Sequence, residues 1–185
     1  MTNFTVHTFD TAPPGSLPAL DKLKASVGMI PNLAGAMAES PTLIDAFETV
    51  RTIFQKGSFN PAEREILSLT NAVENRCSYC VAIHSTFALG AGADQATVDS
   101  IRNGDLPADS RARALARFSK TLIKNRGHVN GEDIDTFIAA GFTKDQALEV
   151  LVGLATSVLA NYARHITQAP LDEPLKAQAW DAPPK

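Results

Sequence analysis

Cysteine is scarce in this sequence, and long apolar runs are absent from it. Two cysteines occur among 185 residues, and in a reducing compartment a closely spaced pair is typical of catalysis or metal binding rather than of a structural disulfide. Nowhere do about eighteen apolar residues follow one another, as a membrane-spanning helix requires. The opening residues also lack a basic start with an apolar stretch behind it. The sequence therefore predicts a cytoplasmic protein without a membrane partner.

Clustered positive charge is missing as well. The net charge is −3, and the basic residues are scattered along the chain. A surface for nucleic acid or for anionic lipids needs lysines and arginines gathered together. We therefore expect neither nucleic acid nor lipid among the partners.

A third absence concerns β structure. No run of alternating β-branched residues is long enough to predict a strand, and no internal repeat is evident. Helix signals are frequent instead, since proline follows a capping residue at Ser40-Pro41 and at Asn60-Pro61, and Gly28 ends an apolar periodic stretch. A chain of this length, with 44% hydrophobic residues, can bury one core. We predict an all-α, single-domain helical bundle.

The helices are expected over residues 17–27, 31–37, 41–55, 61–74, 78–90, 93–101, 109–125, 131–140 and 144–164. The third helix should turn one apolar stripe inward, namely Leu43, Phe47, Val50 and Phe54. The last helix has few charges and is expected to be buried on most sides. Residues 1–16 are interpreted as a lead-in, 17–169 as the helical domain and 170–185 as a tail.

One stretch holds both cysteines and a histidine. Cys77, Cys80 and His84 stand at i, i+3 and i+7, which places them on one face if the residues from Ser78 onward are helical. Two cysteines at this spacing lie within the span that a disulfide requires. The stretch is interpreted as a thiol pair at the start of a central helix, where it can close and reopen without unfolding the chain.

Thiol redox chemistry needs a thiolate, a base that forms it and a second thiol that resolves the oxidised product. Cys77 lies at the predicted helix N-terminus, where the backbone dipole favours an anion, and its sulfur is expected to be the more accessible one. Cys80 has His84 one turn away as proton acceptor. Glu65 can orient His84 if the two helices form an antiparallel hairpin. The alternative is that Glu65 is an ordinary solvent-exposed carboxylate on the helix surface. Glu74 is the competing acid.

Two other interpretations of the cysteine pair compete with redox chemistry. A zinc site would need Cys77 and His84 to reach one ion with bonds of about 2.0–2.3 Å, yet they lie about 10.5 Å apart along a straight helix, and no second cysteine pair exists. Inert cysteines in a helix-packing seam are the other possibility, because free cysteine is a common core residue. The accompanying histidine and acid favour the redox interpretation.

The stretch resembles the AhpD-like alkylhydroperoxidases of the carboxymuconolactone decarboxylase superfamily. Their signature is a glutamate, an eleven-residue gap and then Cys-x-x-Cys-x-x-x-His, which Glu65, Cys77, Cys80 and His84 match. Residues 29–33, 39–41, 63–65 and 161–162, together with His165, are similar to the peroxidase-related branch of that family. The resemblance therefore spans about residues 28–168.

This resemblance implies an AhpD-like helical fold, peroxide reduction through the cysteine pair with attack by Cys80, no metal or other cofactor, and trimers or hexamers. The predicted function is a thiol-dependent alkyl hydroperoxide reductase. Cys77 and Cys80 form its redox pair, Glu65 and His84 relay the proton, and an external dithiol of lipoyl or thioredoxin type restores the thiols. A lyase of carboxymuconolactone decarboxylase type and a non-catalytic redox sensor are the alternatives.

Two further residues are weaker candidates for lining the site. His165 lies at the end of the last helix, where a histidine also interacts favourably with the helix dipole, and the structural interpretation is preferred. Tyr79 points off the line of the cysteines and is interpreted as a packing residue.

A homo-oligomer is also expected. Apolar residues of the helices between Leu17 and Phe54, and Trp180 in the tail, are predicted to exceed what a central bundle covers.

Overall fold

The computed structural model describes residues 3–182, and that range contains helices but no strand. Its nine α-helices are α1 (Leu17–Val27), α2 (Asn32–Met37), α3 (Pro41–Gln55), α4 (Pro61–Glu74), α5 (Ser78–Gly90), α6 (Gln95–Arg102), α7 (Ser110–Lys124), α8 (Gly131–Ala139) and α9 (Lys144–Thr167). Two short 3₁₀ helices, Pro14–Ser16 and Glu173–Gln178, precede α1 and follow α9. The all-α prediction is confirmed. The outer ends of the predicted lead-in and tail, residues 1–2 and 183–185, lie outside the described residues.

Capping side chains fix the helix starts that the sequence predicted. Asn60 Oδ1 accepts the Glu63 N–H at 2.9 Å, and the Glu63 carboxylate accepts the Asn60 N–H at 3.0 Å. Ser40 and Thr143 cap α3 and α9 through their hydroxyl oxygens. Gly28 ends α1 in the left-handed conformation, with φ of 85°. Local hydrogen bonds thus set the bounds of the helices that carry the candidate site.

Helix α4 lies at the centre of the bundle. It packs against α5, α6, α7 and α9, and its residues 66–72 are all buried. Helix α9 can approach it closely because Gly153 has no side chain: a Cβ atom there would lie 2.5 Å from Leu67 and 2.9 Å from Phe54. Helix α4 therefore contacts both α5, which carries the cysteine pair, and α9.

The buried face of α3 differs from the predicted stripe. Of the four predicted positions only Phe54 is buried, and the other three are half-buried. Ile44 and Glu48 are the other buried positions. Leu43, Phe47 and Phe54 pack in or against the core as predicted. The stripe omitted Glu48, because a carboxylate does not register as a core residue in a hydropathy pattern. Glu48 is accommodated by Arg51, whose Nε lies 2.7 Å from Glu48 Oε2.

The prediction that α9 is buried on most sides was wrong. One face packs against α3 and α4, but five large apolar residues on the opposite side are 36% to 68% exposed. We call them the α9 stripe: Leu148, Leu151, Val158, Tyr162 and Ile166. Their spacing of three, four and seven places them along one line of the helix. No helix within residues 3–182 has the combined length and apolar character that crossing a membrane requires.

The apolar surface that was expected to remain uncovered is exposed only in part. Leu20 and Leu23 of α1 are 0% and 2% exposed, whereas Ile53 of α3 is 55% exposed. Trp180 is half-buried and donates from Nε1 to the carbonyl oxygen of Arg102 at 3.0 Å. The α9 stripe is the more extensive exposed apolar surface, and the oligomer stays a prediction.

We expect the α9 stripe to form a contact between copies of this chain, and Leu151→Glu to break it by placing a charge in an apolar interface. Light scattering at micromolar concentration should give a trimer or hexamer of the 19.7 kDa chain for the parent and a shift towards monomer for the variant. Leu106→Glu is the control, because Leu106 is 39% exposed in the α6–α7 loop. A parent protein that remains monomeric would contradict the prediction.

Candidate active site

The cysteine pair is built into the start of α5. Cys77 is the N-cap of that helix, and its Sγ accepts the Cys80 N–H at 3.3 Å. Sulfur thus takes the place of the side-chain oxygen that usually caps a helix. The chain reaches Cys77 from Asn75, the C-cap of α4, through Arg76, whose φ of 55° is left-handed. This short turn makes α4 and α5 an antiparallel hairpin.

Both thiols are free and buried, with 0% of Cys77 and 1% of Cys80 exposed. The expectation that Cys77 is the more accessible sulfur was wrong. The turn that carries it is covered by α9, where His165 Nε2 donates to the carbonyl oxygen of Asn75 at 2.8 Å. Cys80 lines a cavity, and Cys77 is not part of that lining. A molecule entering from solvent therefore meets Cys80.

The cavity in front of Cys80 has a volume of about 470 Å³ and lies between α1–α5 and α9. Much of its wall is apolar, including Phe47 and Phe87. Glu65 and His84 line it together with the Cys80 thiol. Its size and mixed lining are typical of sites that bind small molecules.

Glu65 and His84 form a pair across the α4–α5 hairpin. His84 Nδ1 lies 2.8 Å from Glu65 Oε2, and each side chain is 23% exposed. A carboxylate at Nδ1 favours the tautomer with hydrogen on that nitrogen and leaves Nε2 as the acceptor. Within residues 3–182 the side chain of His84 hydrogen-bonds to Glu65 and to neither cysteine sulfur.

The competing acid, Glu74, lies away from the cavity. Its carboxylate pairs with Lys120 at 3.0 Å and with Lys124 at 3.8 Å, both on α7. Of the two acids on α4, Glu65 is the one that meets the histidine.

Helix α9 brings two residues to the cysteines that the sequence analysis did not identify as site residues. Asn161 is fully buried, and its Oδ1 accepts the Asn75 amide at 2.9 Å. This bond leaves Nδ2 facing the Cys80 sulfur, although Nδ2 forms no hydrogen bond of good geometry within the described residues. The Nε of Arg164 is likewise buried and unpaired there. In the sequence, the only indication of these two site residues was that they are polar positions in a mostly apolar helix.

The two thiols differ in acidity. The pKa of Cys77 is lowered, chiefly because the Cys80 thiol donates a hydrogen bond to its sulfur, and the Cys80 N–H and the Arg164 charge add to the effect. The pKa of Cys80 is raised well above its usual value, first by burial and then by the hydrogen bond that holds its proton against Cys77. Asn161 and Arg164 oppose that rise. The pair therefore loses its first proton mainly from Cys77.

The two weaker candidates occupy different places. Tyr79 is buried and lines the cavity, but its hydroxyl donates to Asp172 and accepts the Leu33 N–H at 3.4 Å. Burial and the Asp172 carboxylate raise the pKa of Tyr79, so its hydroxyl stays protonated. His165 is exposed and belongs to the contact with the α4–α5 turn rather than to the cavity.

Within residues 3–182 no three histidine, cysteine or acidic side chains lie close enough together to hold a metal ion.

The sequence has one family match. Residues 39–120, which contain Glu65, both cysteines and His84, match the model of the carboxymuconolactone decarboxylase family. No curated protein matches the sequence.

Solved structures share the fold over nearly the whole chain. The AhpD core of an uncharacterized peroxidase-related protein from Ralstonia eutropha JMP134 is 20% identical, with 94% of this chain and 93% of that chain covered and a TM-score of 0.80. A peroxidase-related protein from Silicibacter sp. TM1040 is 16% identical, with 96% and 94% covered and a TM-score of 0.78. A variant of the debrominase Bmp8 in complex with 2,3,4-tribromopyrrole is 15% identical, with 96% and 95% covered and a TM-score of 0.78. The fold is AhpD-like.

Replacing Cys80 with alanine should raise the pKa of Cys77, because the largest lowering effect is the hydrogen bond that the Cys80 thiol donates. Cys80→Ser retains an O–H donor and should keep most of the effect. The ultraviolet absorbance of the thiolate, followed against pH, gives the pKa of the remaining thiol in each variant. At a pH between the Cys77 pKa values of the two variants, Cys80→Ala should have the smaller fraction of Cys77 thiolate. Equal pKa values in the two variants would show that this hydrogen bond does not control Cys77.

Proposed function

We propose that this protein is a thiol-dependent hydroperoxide reductase, because residues 39–120 match the model of the carboxymuconolactone decarboxylase family and the chain has the AhpD-like fold. One observation carries the proposal: Cys80 and the His84–Glu65 pair line the same cavity, with Cys77 in contact with Cys80. An attacking thiol, a proton relay and a resolving thiol are thereby within one site.

In the first step Cys80 attacks the outer oxygen of the hydroperoxide. His84 Nε2 receives the thiol proton directly or through one water, since the Nδ1 hydrogen is directed at Glu65. The O–O bond breaks, Cys80 becomes a sulfenic acid, and the alkoxide leaves with the proton that His84 returns. One thiol and one hydroperoxide thus give one sulfenic acid and one alcohol. Burial raises the pKa of Cys80, so this proton transfer is the step that most needs the relay.

Asn161 and Arg164 support the same step from α9. Both favour negative charge on the Cys80 sulfur, as donors and cations aimed at a developing charge do in other active sites. Neither residue belongs to the lining of the cavity.

In the second step Cys77 resolves the product. Its thiol attacks the sulfur of the sulfenic acid, which forms the Cys77–Cys80 disulfide and releases water. An external dithiol of lipoyl or thioredoxin type then reduces the disulfide and is itself oxidised. Because Cys80 lines the cavity and Cys77 is buried, the dithiol attacks at Cys80.

Other functions for this site lead to different outcomes. A lyase of the type that gives the family its name needs no redox-active cysteines, so its activity would survive the loss of both thiols. A redox sensor would form the disulfide but react once per chain. A debrominase shares the fold, which makes removal of bromine from 2,3,4-tribromopyrrole a further reaction to assay.

Turnover tests the proposal. With excess dithiol, supplied as dihydrolipoamide or as reduced thioredoxin, the protein should consume many equivalents of an organic hydroperoxide per chain. Cys80→Ser should consume none, because it has no sulfur to oxidise at the cavity. Consumption of one equivalent or less by the parent would contradict a reductase and favour the sensor.

Glu65→Gln should slow peroxide reduction by about a hundredfold, at the lower end of what general acid–base catalysis contributes. An amide can donate to Nδ1 and select the tautomer that removes the acceptor at Nε2. Single-turnover oxidation, followed by thiol loss, measures the effect. Glu74→Gln is the control on the same helix, because Glu74 pairs with Lys120 outside the cavity. Equal rates for parent and Glu65→Gln between pH 6 and 8 would remove Glu65 from the relay.

Trapping the oxidised sulfur identifies the attacking cysteine. In Cys77→Ser, where serine can still cap α5, one equivalent of peroxide should leave a sulfenic acid on Cys80 that reacts with dimedone. In Cys80→Ser, Cys77 should remain reduced, because it is buried away from the cavity. Mass spectrometry of the labelled peptides distinguishes the two. A rapid adduct on Cys77 in the Cys80→Ser protein would reverse the assignment.

A further inference from the structure

The cavity in front of Cys80 is far larger than hydrogen peroxide requires. Its volume is about 470 Å³, whereas a water-sized molecule takes up roughly 30 Å³ in the liquid. Leu23, Val27, Met37 and Ile83 contribute to its wall. A small polar oxidant gains nothing from these side chains, but an apolar molecule is stabilised by burial against them. The lining suits an organic molecule with a substantial apolar part.

Arg64 adds a positive charge to this cavity. Arg64 lines the cavity, its guanidinium donates to the carbonyl oxygen of Phe59, and no carboxylate within residues 3–182 pairs with it. The other lining arginine, Arg51, is neutralised by two hydrogen bonds to the buried Glu48, at 2.7 and 3.0 Å. Arg64 is therefore a cation that the surrounding chain leaves uncompensated.

The acid that follows Arg64 in the sequence does not neutralise it. Adjacent helix positions point about 100° apart, at 3.6 residues per turn, and Glu65 is occupied by His84. Helix α4 thus presents a cation and the proton relay to the cavity in two different directions. A molecule held at the cation can extend towards the reacting groups.

We propose that the substrate is an organic hydroperoxide with an apolar body and a carboxylate, and that Arg64 binds the carboxylate. A guanidinium is a planar fork of donors that matches a carboxylate and remains charged at physiological pH. The hydrogen bond to Phe59 restrains the side chain, so less conformational entropy is lost when the anion binds. The peroxide-reducing part rests on the proposed function, whereas recognition of the carboxylate by Arg64 does not.

Binding of an unreactive probe tests Arg64 without any chemistry. Calorimetry should show that decanoate binds about ten- to a hundredfold more tightly than decanol, since hydrogen bonds between charged groups are among the stronger ones. Arg64→Gln should remove the preference, and Arg64→Lys should retain part of it. Arg113→Gln is the matched control, because Arg113 also donates to a main-chain carbonyl, that of Pro107, but lies outside the cavity.

Kinetics then test the substrate class. With dithiol in excess, a long-chain fatty-acid hydroperoxide should have a kcat/KM about tenfold or more above that of its methyl ester. Arg64→Gln should lower kcat/KM for the acid to about the value for the ester, whereas Arg113→Gln, outside the cavity, should leave both values unchanged. The loss of kcat/KM for the acid in Arg64→Gln should appear mainly as a higher KM, because in this proposal Arg64 contacts neither the sulfur nor the peroxide oxygens.

The outcomes separate the two proposals. If decanoate and decanol bind equally, or if Arg113→Gln loses as much affinity as Arg64→Gln, the role of Arg64 is wrong whatever the enzyme does. If the decanoate preference depends on Arg64 but no hydroperoxide is turned over, the proposed function and the substrate assignment fail, and the carboxylate site remains.

Discussion

The hydrogen bond from the Cys80 N–H to the Cys77 sulfur joins the reactive pair to the fold. It caps α5 with a thiol, so the helix start, the turn from α4 and the cysteine pair are one structural unit. Any change of charge or bonding at Cys77 acts on a helix cap, whose loss costs about 1 kcal/mol. The positions of Cys80 and His84 depend on this cap, because both side chains are carried by the helix that it begins.

Helix α9 holds this turn in place from the other side. Asn71 donates to Ser157 at 3.2 Å, and Asn75 donates to Asn161 at 2.9 Å. The Asn161 Nδ2 remains without a well-formed hydrogen bond in the described part of the chain, which costs about 1–3 kcal/mol for a buried donor. Facing the Cys80 sulfur, it gains a charged acceptor whenever that sulfur becomes a thiolate. The donor left unsatisfied in the thiol state thus favours the anion.

The sequence was informative wherever a local hydrogen bond decides the structure. The cap at Asn60 and the stop at Gly28 required only neighbouring residues, so their helices were predicted closely. The spacing of Cys77, Cys80 and His84 likewise placed them in one short segment of the chain.

Long-range packing was beyond the same reasoning. Which side of α9 faces solvent depends on where α3 and α4 lie. The exposure of Leu148 and Ile166 was therefore not predictable from the composition of α9. Cys77 lies at a turn that α9 contacts from about ninety positions away, as His165 does at Asn75. Local periodicity could not choose between Glu65 and Glu74 either, because only the packing of α4 against α5 and α7 distinguishes them.

Access and acidity favour different sulfurs, and the hydrogen bond between the two thiols reconciles them. Cys77 holds the larger share of the negative charge, but Cys80 is the sulfur that lines the cavity. Beside the proposed transfer to His84, a Cys77 thiolate can accept the Cys80 proton across their contact, which gives a second route to a thiolate at the cavity. In the proposed reaction the rate follows the product of thiolate population and access, so we expect a minor Cys80 thiolate that meets substrate to outcompete a major Cys77 thiolate that does not. On the same proposal, burial protects the more acidic sulfur and keeps it reduced until the sulfenic acid forms on Cys80.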